Sequence, residues 1–515
     1  VLLAGGLTLN VPVIDRILEE RFIAYHTLCS ATEKVYVSYP ARSVSEDLFP
    51  SEIISEITSV FPQCTVTKAE KTDVYGYVFS TATAFDAVAE TWKSDDEKTN
   101  ALKKYFSEKE EFAGKTEALS KYLSREKISI KNPETAKKLF GEKMFLSASR
   151  IETYYKCPFE YFCKFGLRAK PEEKAEISPR QRGTVVHHCL EILIKEYGLD
   201  TLKEMEEEEL KKVISKTLAQ YAEKSMGGTE GKSMRFDFLY SRFEKTVYEL
   251  TCQIIEEFSV SDFVPCGFEL GIDKDSDDVP LYEIELDEGR IFVRGSVDRV
   301  DIMEKNGEKY IRVVDYKTGG KEFKLYEVLE GINMQMLIYL FAIQENGKNI
   351  YENGLPAGVL YKPAKFGQIR TKRYASDAEI EKERKKDGKY SGLVLANEDV
   401  VYGMDKEMSG DVIGVKIVEN KDNTVTFKGS VATLSQMGKL KERVDRIIAE
   451  MGNALHRGEV EVLPFEHGSD KACTFCDYKD VCMRQDGDAC RQPLPLKNEE
   501  IYEILESEDG ENGEN

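Results

Sequence analysis

The sequence predicts an α/β protein. Three observations carry that expectation. Two β-type runs flank Asn306-Gly307, helical periods of apolar residues lie on both sides of them, and a helix-then-strand alternation stands near the beginning of the chain. With 515 residues, two to four domains and ample buried core are expected. The 41% hydrophobic and 32% charged residues describe a globular chain, and no run of 18 apolar residues suggests a membrane span.

Taken in order, residues 1–60 alternate a helical segment, Val13 to Ala24, with an apolar strand, Val35 to Tyr39, closed by Pro40. This pattern is expected at the end of a larger α/β domain. The opening Val-Leu-Leu-Ala-Gly-Gly has neither an initiator Met nor a basic signal-peptide region and reads as cut from a longer protein. Residues 61–145 are mostly helical and charged, a connecting region. A second domain is expected over 146–500. Ser147 and Ser149 precede an amphipathic run from Ile151 to Phe165, and Ser149-x-x-Glu152 has the form of a capping box.

Several helices are expected over 184–260, with a break near Gly227 to Gly231, followed by strands between about 265 and 317. A helix from Ile332 to Gln344, a stretch of strands and polar loops over 357–430, and a long helix from Leu434 to Leu455 complete the domain. From Glu503 to Asn515 there are six acids and no bases, so 501–515 reads as an acidic disordered tail.

The net charge of −21 argues against a protein that coats nucleic acid by electrostatics, although net charge says little about one local basic groove. The eleven cysteines do not form a disulfide-like framework, and a cytoplasmic location is expected.

The most informative stretch runs from Ile291 to Thr318. Asn306-Gly307 is a strong signal for a two-residue type I′ hairpin. In that register Lys305 faces Glu308, Glu304 faces Lys309 and Asp301 faces Arg312, while Ile302 and Val300 meet Ile311 and Val313. Such complementary pairs support the register. The same count sets Asp298 opposite Asp315. Facing carboxylates repel unless neutralised, and a divalent cation such as Mg²⁺ suits two carboxylates. Lys317 falls on the same face as Asp315 by the strand's period of two. A structural salt-bridge cluster is the alternative reading of these spacings.

Gly295-Ser296-Val297-Asp298-Arg299-Val300-Asp301, with Val314-Asp315-Tyr316-Lys317-Thr318-Gly319, resembles the core of the PD-(D/E)XK nucleases of the RecB-like group. Arg182-Gly183-Thr184-Val185-Val186-His187 resembles the helix that supplies a histidine metal ligand. The residues alone leave His187 and His188 equal, and the family's Gly-x-x-x-His spacing selects His187. Gln335-Met336-Leu337-Ile338-Tyr339 resembles the Gln-x-x-x-Tyr helix, whose two polar residues share a face that could touch a DNA strand.

The resemblance implies a restriction-endonuclease-like α/β fold with a central mixed sheet flanked by helices. It also implies a Mg²⁺- or Mn²⁺-dependent deoxyribonuclease. His187, Asp298, Asp315 and the Tyr316 carbonyl would hold the metal. Asp298, Asp315 and Lys317 would be catalytic, and Gln335 and Tyr339 would contact DNA.

Cys473-x-x-Cys476-x₅-Cys482 supplies three thiols in a short span, a metal-binding spacing for which zinc is the generic reading. Cys157, in Tyr154-Tyr155-Lys156-Cys157-Pro158-Phe159, resembles the lone first cysteine of the iron–sulfur nuclease subgroup. That resemblance implies a four-iron four-sulfur cluster on Cys157, Cys473, Cys476 and Cys482. The cluster would tie the start of the domain to its end, while Cys163, Cys189, Cys252, Cys266 and Cys490 would be ordinary thiols.

The segment from Glu20 to Pro40 resembles the last motif of superfamily 1 helicases, with Ser30 where active helicases carry an arginine. No phosphate-binding Gly-x-x-x-x-Gly-Lys-[Ser/Thr] loop occurs, and Gly319-Gly320-Lys321 is a false lead, so no ATPase activity is expected. Together these features resemble the C-terminal part of AddB-type (RexB-like) helicase–nuclease subunits. The implied setting is double-strand-break repair and recombination, with DNA and an AddA-type subunit as partners.

A free-standing iron–sulfur exonuclease of the CRISPR-adaptation type, or a non-catalytic DNA-binding scaffold, are the alternatives. Residues 1–145 argue against the first and the complete His187, Asp298, Asp315 and Lys317 set against the second. Tyr361 to Tyr374 holds Lys362, Lys365, Arg370, Lys372 and Arg373 with Phe366 interleaved. That composition suits single-strand binding, or simply a solvated charged loop.

Overall fold

The computed structural model describes residues 13–40, 49–64, 74–92, 94–123, 128–170, 179–226, 228, 234–317, 323–364, 371–372, 375–408, 412–420, 425–468, 470–484 and 488–512. The chain forms two compact units, Val1–Arg125 and Glu126–Asn515. None of the helices among the described residues is long and apolar enough to cross a membrane.

The first unit is helical: α1 (Val13–Cys29), α2 (Glu52–Val60), α3 (Thr81–Glu90), α4 (Glu97–Ser107) and α5 (Glu110–Leu123). Ser80 and Asp96 cap α3 and α4 by accepting from the N–H groups of Thr83 and Thr99. Phe85, Val88, Phe106 and Phe112 form its small core. The strand expected over Val35 to Tyr39 does not form. Those residues are irregular, and Val35, Tyr36, Val37 and Tyr39 are exposed. A strand needs a partner ladder, and the described residues of this unit contain no strand.

The second unit starts at Glu126, earlier than residue 146, for a physical reason. Helix α6 (Pro133–Phe140) leads into strand β1 (Lys143–Ser147), and β1 pairs in parallel with the strand that bears Asp298. Helix α7 (Ala148–Lys156) is capped by Ser147, whose side chain accepts from the Arg150 N–H, so the cap falls two residues before the expected Ser149 box. The expected continuous run to Phe165 is interrupted. Cys157 is extended (φ −164°, ψ 117°), and the short α8 (Pro158–Tyr161) and one π turn over Phe162–Gly166 follow. A residue before proline is pushed out of the helical region, so Pro158 accounts for the break.

Next come α9 (Pro179–Tyr197), α10 (Leu199–Glu204), α11 (Glu207–Met226) and α12 (Met234–Val260). The break expected near residues 227–231 lies outside the described residues, except for Gly228. Strands β2 (Val264–Ile272), β3 (Tyr282–Glu285), β4 (Arg290–Lys305) and β5 (Glu308–Lys317) are followed by α13 (Leu325–Leu329) and α14 (Gln335–Asn346). Then come β6 (Gly354–Pro363), α15 (Asp377–Asp387), β7 (Ser391–Leu395) and α16 (Glu398–Met404).

A separate hairpin of β8 (Lys416–Glu419) and β9 (Val425–Lys428) precedes β10 (Val431–Ala432) and α17 (Leu434–His456). Helices α18 (Lys479–Cys482) and α19 (Asn498–Asn512) end the unit. The tail is therefore helical through most of its length. Ile501, Tyr502 and Leu505 are buried in the core and the Tyr502 hydroxyl donates to the Val431 carbonyl, which corrects the expectation of disorder over the described part of 501–515.

The central sheet has eight strands in the order β1-β4-β5-β6-β7-β10, with β2 and β3 also pairing with β4. It is mixed: β1/β4, β5/β6 and β7/β10 are parallel, and the remaining pairs are antiparallel. The core packs α7, α14 and α17 against it, while α9, α11 and α12 form a second cluster that includes Tyr316. The turn has two residues, Asn306 and Gly307, both left-handed (φ 55° and 84°), as a type I′ hairpin requires.

Candidate active site

The β4–β5 ladder keeps the register derived above from Lys305–Glu308 up to Arg299–Val314. Pairing stops there, one step short of Asp298 and Asp315. The Asp298 carboxylate instead takes the next strand's backbone: its Oδ2 accepts from the Tyr316 N–H at 2.9 Å. Its other oxygen, Oδ1, lies 3.4 Å from His187 Nδ1. His187 reaches the strands from α9, and its Nε2 donates to the Tyr316 carbonyl at 2.9 Å. That bond sets the tautomer and turns Nδ1 toward the carboxylates. The Tyr316 carbonyl, expected as a metal ligand, is thus engaged by the His187 ring.

A residue without any motif joins them. Glu269 on β2 has its Oε1 3.8 Å from His187 Nδ1, and its Oε2 accepts from the Ser296 hydroxyl at 2.8 Å. Ligand atoms of His187, Glu269 and Asp298 all lie within 4.8 Å of one another. Glu269 is left-handed (φ 48°), a costly conformation for a residue with a Cβ. Nothing in the sequence marked it beyond an acid inside the apolar run Phe268 to Leu270.

Asp315 is nearly buried and outside that tight trio. Its Oδ2 is paired with Lys317 Nζ at 2.6 Å, and the ammonium also lies 5.3 Å from the centre of the Tyr361 ring. Burial, together with the negative charge of Asp298, raises the Asp315 carboxyl to about 6, against the pull of Lys317. Burial works to lower the His187 value. The hydrogen bond and charge of Asp298, then the Tyr316 carbonyl and Asp315, outweigh it and raise the imidazolium to about 9. Three acids and an imidazole that holds its proton this strongly form a site of excess negative charge. One nitrogen and several carboxylate oxygens are donors that suit a hard divalent cation.

Gln335 and Tyr339 do not behave alike. Tyr339 is buried, its hydroxyl is hydrogen-bonded to Gln335, and only Gln335 is partly exposed. Tyr339 packs beneath Gly295, where an added Cβ would stand 2.5 Å from a ring carbon. This close approach is why a glycine opens the Gly295 to Asp301 segment. Of the basic stretch, Tyr361 and Lys362 are buried strand residues, and the Lys362 ammonium donates to the Gly388 carbonyl at 2.7 Å. They do not belong to a solvated loop. Lys372 is exposed, and Lys365, Phe366, Arg370, Arg373 and Tyr374 lie outside the described residues, as do Thr318 to Lys321.

At the end of the unit, the break at Cys157 turns that thiol into a buried cluster with Cys476, Cys482, Phe159, Tyr478 and also Cys163. Cys473 lies close enough to feel the charges of Cys482 and Cys476. Burial pushes the Cys157 thiol up, opposed by N–H groups of Glu160 and Leu463 directed at its sulfur. The Tyr478 N–H likewise points at the Cys476 sulfur, at 3.4 Å. Amides aimed at sulfur favour a thiolate, so the donor set fits a thiolate-held centre.

Hydrogen bonds already join the two ends around it. Phe159 donates to Glu461, Phe465 donates to Lys156, and the Tyr478 hydroxyl donates to the Ala169 carbonyl.

A family model described as the PD-(D/E)XK nuclease superfamily matches residues 145–483. Relatives named as a subunit of an ATP-dependent helicase/deoxyribonuclease are similar over almost the whole chain. The protein of Clostridium acetobutylicum is 28% identical over 100% of this chain and 46% of its own length. Those of Clostridium novyi and Caldanaerobacter subterraneus subsp. tengcongensis are each 29% identical, over 99% and 97% of this chain and 46% and 44% of their own. The chain spans less than half the length of these relatives.

Proposed function

Because the chain belongs to the PD-(D/E)XK nuclease superfamily, we propose that it is a metal-dependent deoxyribonuclease that hydrolyses phosphodiester bonds of single-stranded or unwound DNA. The observation that carries this reading is the convergence of His187 Nδ1, Glu269 and Asp298 within 4.8 Å, beside an Asp315–Lys317 pair. His187, Asp298, Asp315 and Glu269 would hold Mg²⁺ or Mn²⁺, with the Tyr316 carbonyl at hand. Such an ion, when bound, polarises the scissile phosphate and lowers the pKa of a bound water.

The protein's own groups do the rest. Lys317, paired with Asp315, would orient the attacking water and offset the developing charge on the phosphate. His187, anchored through Nε2, keeps Nδ1 toward the carboxylates. Gln335 meets the DNA strand from α14, and Tyr339 supports Gln335 and the backbone at Gly295 rather than touching DNA itself.

The relatives' name, a subunit of a helicase/deoxyribonuclease, supports a place in a two-subunit helicase–nuclease complex of the AddA–AddB type that processes double-strand breaks. Ser30 in place of the helicase arginine supports a chain without ATPase activity of its own. Cys157, Cys473, Cys476 and Cys482 would hold a four-iron four-sulfur cluster with a structural task, a crosslink that limits the unfolded chain. The purified chain with Mg²⁺ should degrade single-stranded DNA, EDTA should stop it, and Asp298→Ala should abolish it. Undiminished cleavage by folded Asp298→Ala would sink the assignment.

A further inference from the structure

Four charged side chains that take no part in this chemistry are wholly buried directly behind it. They are Arg299 and Asp301 on β4, Arg312 on β5 and Glu257 on α12. By strand alternation Asp298 points to the face opposite Arg299. Arg299 donates to Glu257 at 2.9 Å and to Asp301 at 3.0 Å, and Arg312 donates to Asp301 at 2.7 Å and also to Glu257. The Tyr390 hydroxyl joins by accepting from Arg299 and donating to Glu257. The lattice has two cations and two anions, so its formal charge cancels.

Desolvating four charges is costly, and an apolar filling of equal volume is often as stable or more so. What such a lattice adds is a single permitted register. A slip of β4 against β5 by one residue would turn Arg299 and Asp301 to the wrong face and leave Glu257 and Arg312 without two of their buried partners.

One residue connects the lattice to the cation site. The Tyr316 hydroxyl accepts from Arg299 Nη1 at 3.1 Å. Its N–H donates to Asp298 and its carbonyl accepts from His187. Tyr316 is therefore held from behind by the lattice and holds two ligand side chains in front.

We infer that the Glu257–Arg299–Asp301–Arg312 lattice sets the geometry of the cation site, and that Tyr316, through its hydroxyl, is the positioning residue by which it does so. The inference rests on the nuclease reading of that site. Its test is Mn²⁺ binding to the full chain, followed by calorimetry and by the Mn²⁺ spin resonance signal, in four proteins.

Tyr316→Phe keeps the ring and both backbone bonds and removes only the hydroxyl. It should bind Mn²⁺ about tenfold more weakly, the lower end for loss of an outer-shell partner. Tyr390→Phe touches no ligand residue and should weaken binding in the same direction, because it loosens the lattice. Tyr282→Phe removes a buried hydroxyl that donates to Asp445, away from the site, and should bind as the wild type does. Binding within twofold of wild type in both Tyr316→Phe and Tyr390→Phe would overturn the inference, as would an equal loss in Tyr282→Phe. A wild-type chain that binds no Mn²⁺ would overturn the nuclease reading itself, and the inference with it.

Discussion

Metal affinity should rise steeply with pH, because the site must release two protons before its ligands are free. His187 is raised to about 9 and Asp315 to about 6. Both values lie above their ordinary ones. The ion-free fold therefore gains stability from these protons below the ordinary imidazole and carboxyl values. It loses that gain as pH rises through about 6 for Asp315 and about 9 for His187. For a divalent ion the sign is opposite, since binding competes with both protons.

With these two values, apparent affinity should increase about eighteenfold from pH 6 to 7 and about tenfold from pH 7 to 8, roughly two-hundredfold in all. At pH 7.5 almost the whole effect belongs to His187, so close to one proton should be released per ion. Calorimetric titration with Mn²⁺ at pH 6, 7 and 8, in buffers of different ionisation enthalpy, measures both quantities. His188→Ala should leave the profile unchanged. A change under threefold between pH 6 and 8, or no proton release at pH 7.5, would refute the assignment of His187 Nδ1 as a ligand position.

Two further outcomes follow from the packing. Gly295→Ala should destabilise the unit by about 1–3 kcal/mol in urea unfolding, since a Cβ there meets the buried Tyr339 ring at 2.5 Å. Wild-type stability in that variant would show that the ring can shift freely. Anaerobically purified protein should be brown, with iron and sulfide near four each per chain. Cys157→Ala should lower iron content and Tm together, whereas Cys163→Ala should keep its iron. Colourless protein with one zinc per chain would point to the zinc alternative.

Much of the site was legible because hairpins and motifs are local. The left-handed demands of Asn306-Gly307 and the charge pairs Glu304–Lys309 and Asp301–Arg312 set the register without any tertiary information. The limit came at Asp298, whose carboxylate prefers the Tyr316 N–H to a continued ladder, a choice made by side-chain chemistry rather than by pattern. Glu269 was invisible because its place depends on a positive φ within β2 and on proximity to His187, far along the chain.

Helix α15 was missed because it is polar all round. The Ser376–Glu379 capping box was the signal that could have found it. The acid count of the tail hid Ile501, Tyr502 and Leu505, whose spacing places three apolar groups on one helix face. The break at Cys157 was readable from Pro158, but the apolar period on either side masked it.

The nuclease reading stands most directly on Lys317. It is paired with Asp315 yet is no metal ligand, so its removal separates ion binding from chemistry. The decisive measurement sets Mn²⁺ affinity beside the rate of single-stranded DNA cleavage for wild type and Lys317→Ala. Affinity should be equal to or tighter than wild type, because Asp315 loses its competing ammonium. Cleavage should be lower by at least about a hundredfold, the scale for loss of one aligned charge at a developing anion. Cleavage near the wild-type rate in a folded, Mn²⁺-loaded Lys317→Ala would contradict that reading.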